Sequence, residues 1–401
     1  MSGTAKPRFV FLNHWASRLG GAEYSLLDIL AHAAPLWECH LVSAEGGELH
    51  RRACALGITC HVVACGGSME RIRRWNLLAT LLVSWKEWLH FAAYLLKLRR
   101  LVLKLRPDLV HANVPKSHVA LFLLCRIGYR GPACFHMREI FGCAPNAASV
   151  LYGLLFPRSR AFIIAISQAV AASLPTRCRR NASVIYNGVA VADGAGVRKG
   201  FDGTLRLVYL GRIVPWKGCH TLVRILHKAR CRYVSTPVEL DLIGDTAYWP
   251  DEYRQTLVSL IVTLGLSGCC RLLPHTDDID AMFGTHDVFC NASLREPFGR
   301  SIAEAQAHGL PVVAFASGGI AEIVVNGETG VLVPYGDEDA FVEALGRFIN
   351  QPGLLSAMGE KGRCRMRADF NRAVQIPRIC ACMEKHLGGI SGKTAEAEKC
   401  P

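Results

Sequence analysis

Two carboxylates, Glu296 and Glu304, stand eight positions apart in the run Ser293-Leu-Arg-Glu-Pro-Phe-Gly-Arg-Ser-Ile-Ala-Glu304. The first lies in a Gly/Pro loop directly after the apolar run 287–293. The second lies about one turn inside the amphipathic stretch 301–308. A strand, a tight glycine turn and a helix N-terminus leave backbone N–H groups and the positive end of the helix dipole facing a ligand, which suits an anion. A carboxylate at the same point disfavours a bare phosphate unless it engages something else, such as a sugar or ribose hydroxyl. Diphosphate on amides with hydroxyls on carboxylates is the chemistry of a nucleotide-sugar.

Three further clusters carry chemistry. Gly211-Arg212-Ile-Val-Pro-Trp-Lys217-Gly218 follows the apolar run 205–210 and precedes a helical pattern from Cys219. Arg212 and Lys217 would both reach the end of the strand, where a diphosphate needs cations. Gly20-Gly21-Ala22-Glu23 sits at a strand-to-helix turn, where glycines let a ligand approach the backbone. It lacks Gly-x-Gly-x-x-Gly, which disfavours a dinucleotide site and leaves a simple tight turn as the alternative. His136, in Ala133-Cys-Phe-His-Met-Arg138-Glu139, falls at the carboxyl end of a strand pattern and is expected to point into a cleft. His111 sits similarly one strand earlier. For both, a satisfied structural histidine is the alternative.

These residues need a scaffold. At 401 residues the chain exceeds one typical core, and 51% hydrophobic with 20% charged residues describes a globular protein. Strand patterns fall at 8–13, 39–43, 59–63, 109–113, 133–137, 161–167 and 183–186. A second series falls at 205–210, 239–243, 271–273, 287–292, 311–316 and 330–333. Strands alternating with helical stretches imply parallel sheets. A glycine-rich break, 187–204, separates the two series, and from 352 the chain reads helical to about His386. The expected architecture is α/β, with two doubly wound Rossmann-like domains whose strand ends face one interdomain cleft. The boundaries are 1–190 for the first domain, 191–204 for the linker and 205–370 for the second, nucleotide-sugar-binding domain. A C-terminal helix at 371–388, able to cross back to the first domain, and a disordered tail at 389–401 complete the expectation.

The 17 cysteines include no Cys-x-x-Cys, which fits reduced core thiols better than a zinc ribbon or a disulfide framework. No cleavable signal peptide is read at the start, where the short run 9–12 reads as a strand. The stretch 140–157 is interrupted by Pro145, Asn146 and Ser149 and is not read as a membrane span. Residues 1–194 hold 23 Lys and Arg against 10 Asp and Glu, whereas 195–401 hold 23 of each, so the formal charge of +13 belongs to the first half. Arg71 to Arg106 concentrates nine bases, one acid and three tryptophans. As a helix it would set Lys86, His90, Lys97, Arg100 and Lys104 in one stripe, with Trp85, Trp88, Ala92, Leu95, Val102 and Leu103 away from it. That combination suits a helix lying in an anionic membrane interface. An ordinary crossover helix with a solvated basic face is the alternative. Nucleic acid is not expected, because the tryptophans sit with leucines rather than interleaving the bases.

Taken together, these motifs resemble the family-4 retaining glycosyltransferases of the GT-B fold. Ser-Leu-Arg-Glu296-Pro-Phe-Gly-Arg, Ser317-Gly-Gly-Ile-Ala-Glu322-Ile, Asn326-Gly-Glu-Thr-Gly-Val-Leu-Val and Val184-Ile-Tyr-Asn-Gly-Val carry the resemblance. It implies that Glu296 contacts donor-sugar hydroxyls and Glu304 the ribose, while Arg212 and Lys217 hold the diphosphate. Amides around Phe298, Gly299 and Arg300 would bind sugar and phosphate. Gly20 and Gly21 would form the phosphate and acceptor loop, and His136 would be the catalytic histidine beside Glu296. Pro274-His275 stands where the family usually has a glycine near the base pocket, which leaves the base open.

The reaction implied is retaining transfer from a nucleotide-sugar to a glycan or lipid-linked acceptor, in polysaccharide or glycolipid biosynthesis. The protein would be cytoplasmic and peripheral at the inner membrane face. No cofactor or metal is expected: charge on the leaving group would be met by Arg212, Lys217 and a helix N-terminus, and 277–280 reads as the acidic start of a helix rather than a metal motif. The alternatives are another nucleotide-sugar enzyme of this fold, such as an epimerase, and a non-catalytic protein that binds an anionic surface.

Overall fold

The computed structural model describes residues 6–17, 19–66, 85–141, 152–153, 156, 160–191, 201–245 and 251–387. Thirteen strands lie among them, each within two residues of its sequence pattern. The first seven are β1 (Arg8–Leu12), β2 (Glu38–Ser43), β3 (Thr59–Val62), β4 (Leu109–Ala112), β5 (Ala133–Met137), β6 (Ala161–Ala165) and β7 (Ala182–Val184). They form one sheet in the order β3-β2-β1-β4-β5-β6-β7, and every pair is parallel. The other six are β8 (Leu205–Leu210), β9 (Val238–Ile243), β10 (Cys270–Leu273), β11 (Val288–Asn291), β12 (Val312–Phe315) and β13 (Gly330–Val333). Their order is β10-β9-β8-β11-β12-β13, again all parallel.

Central strands of such sheets are covered on both faces, which is why Phe-Val-Phe-Leu in β1 and Val-Phe-Cys in β11 are apolar runs buried at every position. In each sheet the order reverses once, between β1 and β4 and between β8 and β11. Loops leaving the carboxyl ends of those neighbours diverge to opposite faces and open a crevice for ligands.

The chain divides into two compact units. The first takes residues up to Ile166, then Val170–Ile185, then the chain from Ile376. The second takes Ser167–Ala169 and Tyr186–Gln375. The change therefore falls at Tyr186 rather than after 190. Residues 192–200 of the glycine-rich break, and the tail from 388, lie outside the described residues. From Ile376 the last helix, Arg372–Lys385, supplies Ile376, Ile379, Cys380 and Met383 to the first unit's core.

The helical reading after 352 needs a correction. The helix Gly353–Arg365 runs into a π turn, Met366–Phe370, and stops at Asn371, whose backbone is extended. The Val189 amide donates to the Phe370 carbonyl, and the Arg372 amide to the Val189 carbonyl, both at 2.9 Å. Asn371 Oδ1 then accepts from the Ala373 amide and starts the last helix. A strand-like pairing with residue 189 interrupts what periodicity alone reads as one helix.

The basic segment is described from Trp85, as the helix Trp85–Leu105 that leads into β4; residues 71–84 lie outside the described residues. Tyr94, Leu98 and Val102 are buried, a four-residue spacing that turns one face inward as a crossover helix requires. Val102 therefore belongs to the protein's own core, not to an apolar face turned outward. Leu89, Leu96 and Leu103 are exposed beside exposed Lys97, Arg100 and Lys104.

Candidate active site

In the second unit the reversal point is built from the loops after β8 and β11. The strands are neighbours, with Phe289 paired to Val208, so those loops meet. The first turns through a short 3-10 segment, Pro215–Lys217, and Gly218 in the left-handed region (φ +73°). A side chain on Gly218 would strike the Ala292 carbonyl, so only glycine lets the two loops approach. The Leu294 amide then donates to the Trp216 carbonyl at 2.9 Å and ties them together.

The close approach delivers a charge pair. Lys217 Nζ donates to Glu296 Oε2 at 2.5 Å, with both side chains at least four-fifths buried. The Gly319 amide fixes the Glu296 backbone through its carbonyl at 2.8 Å. Gly299, at φ +102°, turns the chain into the helix Arg300–Ala307, along which Arg300 Nε donates to Glu304 Oε1 at 2.7 Å. The helices Cys219–Arg232 and Arg300–Ala307 both begin at a glycine, without a side-chain cap and without an acid in the first turn. Two helix N-termini, Lys217 and Arg300 can thus meet an anion, and Glu296 and Glu304 can accept hydroxyls. Arg212 lies exposed on the same loop, its carbonyl taking the Tyr209 hydroxyl at 3.0 Å.

Two acidic features serve structure. Asp278 Oδ1 accepts from the Ala281 amide and caps the helix Ile279–Gly284, as its sequence implied. The Glu322 carboxylate accepts from the Gln168 and Ala169 amides at 2.7 and 2.9 Å.

In the first unit the reversal point is a buried polar network. Asn113 Nδ2 donates to Asn13 Oδ1, so the residues that follow β4 and β1 are joined at 2.9 Å. Arg138 Nε donates to Asn113 Oδ1 at 2.9 Å. His136, fully buried, has Nδ1 3.1 Å from His111 Nε2 and 3.5 Å from an Arg138 nitrogen. Guanidinium can only donate, so His136 Nδ1 accepts and the ring proton sits on Nε2, which is buried with no partner. Burial pushes both His111 and His136 well below the ordinary imidazole range, and Arg138 pushes the same way.

Two expectations change here. His136 is not open at the end of its strand; it is closed in and held as one neutral tautomer. Gly20 and Gly21 do begin the helix Gly21–Ala33, but Glu23 Oε2 already accepts from the Gly20 amide at 3.0 Å, so the helix start carries its own carboxylate. That negative charge opposes a phosphate at the glycine loop. The Asn13–Asn113–Arg138 network escaped sequence reading, although an asparagine directly after each of two central strands was visible. The partners of His118, which donates from Nε2 to the Ala112 carbonyl and accepts the Tyr152 hydroxyl at Nδ1, had no sequence signal.

Residues 198–365 match the family model for glycosyl transferases group 1, and residues 19–193 that for glycosyltransferase family 4. A lipopolysaccharide core biosynthesis glycosyltransferase, LpsE of Rhizobium meliloti (strain 1021), is 32% identical over 163 residues, 41% of this chain and 45% of that protein. A capsular polysaccharide biosynthesis glycosyltransferase, CapM of Staphylococcus aureus, is 32% identical over 187 residues, 46% of this chain and 47% of the relative. The chain thus spans about half the length of the curated relatives it matches. The crystal structure of Anabaena HepE in complex with UDP and glucose superposes with a TM-score of 0.78 at 22% identity, over 94% of this chain and all of that one. That likeness establishes the GT-B fold for this chain.

Proposed function

Because the chain belongs to the family-4 glycosyltransferases, we propose that it moves a sugar from a nucleotide-sugar donor to a glycan or lipid-linked acceptor, in the biosynthesis of a polysaccharide or glycolipid. The observation that carries this reading is the pair Lys217–Glu296 between two uncapped helix starts. A diphosphate takes Lys217, Arg212 and the amides at Gly299 and Arg300. Donor-sugar hydroxyls take Glu296, and ribose hydroxyls take Glu304. As the bond to the leaving phosphate breaks, charge grows where these cations and amides already point, which is how such a site lowers a barrier. Retention of anomeric configuration belongs to this reading, as does transfer without a divalent metal: the cations supply the charge a metal would. His136 is neutral and closed in, so in this reading it is not a base; its buried Nε2–H is a donor that meets a sugar hydroxyl only where the side chains covering it give way. The names of relatives support the substrate class, since they act in lipopolysaccharide core and capsule synthesis.

The test is a screen of nucleotide-sugars with excess EDTA present, following release of nucleoside diphosphate and the anomer of the product by NMR. An α-linked donor giving an α-linked product in EDTA is expected. Inversion, or loss of turnover restored by manganese, contradicts the corresponding part of the reading.

The same reading places the protein in the cytoplasm, at an anionic membrane face. The support is the exposed Leu89, Leu96 and Leu103 beside Lys97, Arg100 and Lys104, together with the charge of the first half. Each base near an acidic leaflet contributes on the order of 1 kcal/mol. Among the described residues no helix is long and apolar enough to cross a membrane. Salt-sensitive co-sedimentation with acidic but not neutral vesicles is expected; equal pelleting on both, or none at low salt, overturns the membrane assignment.

A further inference from the structure

Two helices begin beside the reversal point of the first sheet, and they differ. The helix Gly21–Ala33 is closed by its own Glu23. The helix Pro115–Ile127 starts after Val114 with no side-chain cap, no acid in its first turn, and Lys116 as its second residue. Lys116 Nζ lies over the Trp15 indole, 4.4 Å from the ring centre. His14 meets the same indole edge-on, with ring centres 4.8 Å apart. Only 6% of His14 is exposed, and its Nε2 is buried with no hydrogen-bond partner. A buried ring nitrogen left unsatisfied in this way costs free energy unless a ligand meets it.

The charges around His14 are Lys116 and Glu45. Burial, then Lys116, lower its pKa to about 4, against a smaller opposing effect of Glu45. Glu45 is itself occupied, its Oε1 accepting from the Ala16 and Ser17 amides and the Ser17 hydroxyl. A cation, a helix N-terminus and a neutral imidazole are gathered on one aromatic surface. Such a set fits an anion attached to a sugar: oxygens on the donors, ring on the indole.

We propose that Lys116, His14, Trp15 and the start of the helix Pro115–Ile127 form an anion subsite of the first unit that takes a phosphate group carried by the acceptor. It rests on the reading of the chain as a glycosyltransferase and narrows the acceptor to an anionic class. It also moves the phosphate contact of this unit from the glycine loop, which Glu23 fills, to the next helix along the sheet.

Isothermal titration of the intact protein with glucose 6-phosphate, against glucose as the uncharged control, tests it. Glucose 6-phosphate should bind and glucose should not. Lys116→Ala should weaken binding by about ten- to a hundredfold, as loss of one charged hydrogen bond does, and Lys116→Arg should restore most of it. Vesicles of phosphatidylcholine with and without phosphatidic acid identify the source. Lys116-dependent binding to phosphatidic acid indicates a lipid-borne phosphate, and binding of glucose 6-phosphate alone a soluble one. Absence of binding to both, or binding unchanged in Lys116→Ala, overturns the subsite. The same titrations with nucleotide-sugars separate the two readings. A nucleotide-sugar that binds Lys116→Ala normally while phosphate binding fails leaves the transferase standing. Failure of every nucleotide-sugar removes the transferase reading itself.

Discussion

Several side chains of the candidate site have partners that constrain what they can do. Lys217 and Glu296 neutralise one another in a mostly buried pair. Removing one partner strands the other, so single substitutions combine a lost contact with a buried charge. Lys217→Ala, and Arg212→Ala on the exposed part of the loop, should each lower kcat/KM by about 10² or more while circular dichroism stays native. Normal turnover in both, with the fold intact, removes the diphosphate assignment. His136 leads to a different expectation. It is neutral, with Nδ1 committed to His111 and Arg138, so its titration should leave no inflection in the rate between about pH 6 and 8. His136→Gln, which keeps an N–H donor, should retain more kcat than His136→Ala. Equal loss in the two assigns His136 to packing. The type of each catalytic candidate was visible in sequence. The tautomer was not, because it is set by Arg138 and His111, and by Asn113 through Arg138, which only the fold brings together.

At the element scale, strand patterns and turn glycines were informative because parallel strands are buried on both faces and show as apolar runs. The π turn at Met366–Phe370 was invisible, because the residue that interrupts the helix, Val189, lies far away in sequence. The loops after β8 and β11 depend on glycine at three positive-φ positions, Gly211, Gly218 and Gly299. Gly218→Ala forces either the backbone or the Ala292 carbonyl to move. It should cost about 1–3 kcal/mol of stability and weaken donor binding with it, read from denaturant midpoints and nucleotide titration. In the first unit Phe122 stacks on Phe135 at 4.4 Å, and both are buried. Phe122→Ala should cost about 3–5 kcal/mol by the same measurement, the usual loss for an emptied aromatic site.

At the scale of the whole molecule, the buried histidines make the first unit sensitive to acid. His14 and His118 are lowered to about 4 and about 3, in each case chiefly by burial, and His111 and His136 fall well below their ordinary range. The unfolded chain takes up these protons near pH 6.5, whereas the folded chain refuses them until its own lower pKa values. The unfolded state therefore binds more protons in that window. Stability is full above about pH 6.5 and declines as pH falls towards 4, by roughly 1.4 kcal/mol per unit for each such group. Urea midpoints at pH 7 and 5 should show the decline, and His14→Gln should make it shallower. The two doubly wound units were legible from alternating runs and one glycine-rich break. The return of the last helix to the first core was only an open option there, since that docking rests on Ile376, Ile379, Cys380 and Met383 meeting β1 and β2 neighbours distant in sequence. The central claim is that the second unit holds a nucleotide-sugar across Lys217 and Glu296. Calorimetric titration of a nucleotide-sugar panel into the intact protein and into Lys217→Ala tests it most directly. At least one nucleotide-sugar should bind the intact protein and lose about tenfold or more in Lys217→Ala; no binding by any of them, or equal binding to both proteins, contradicts the claim.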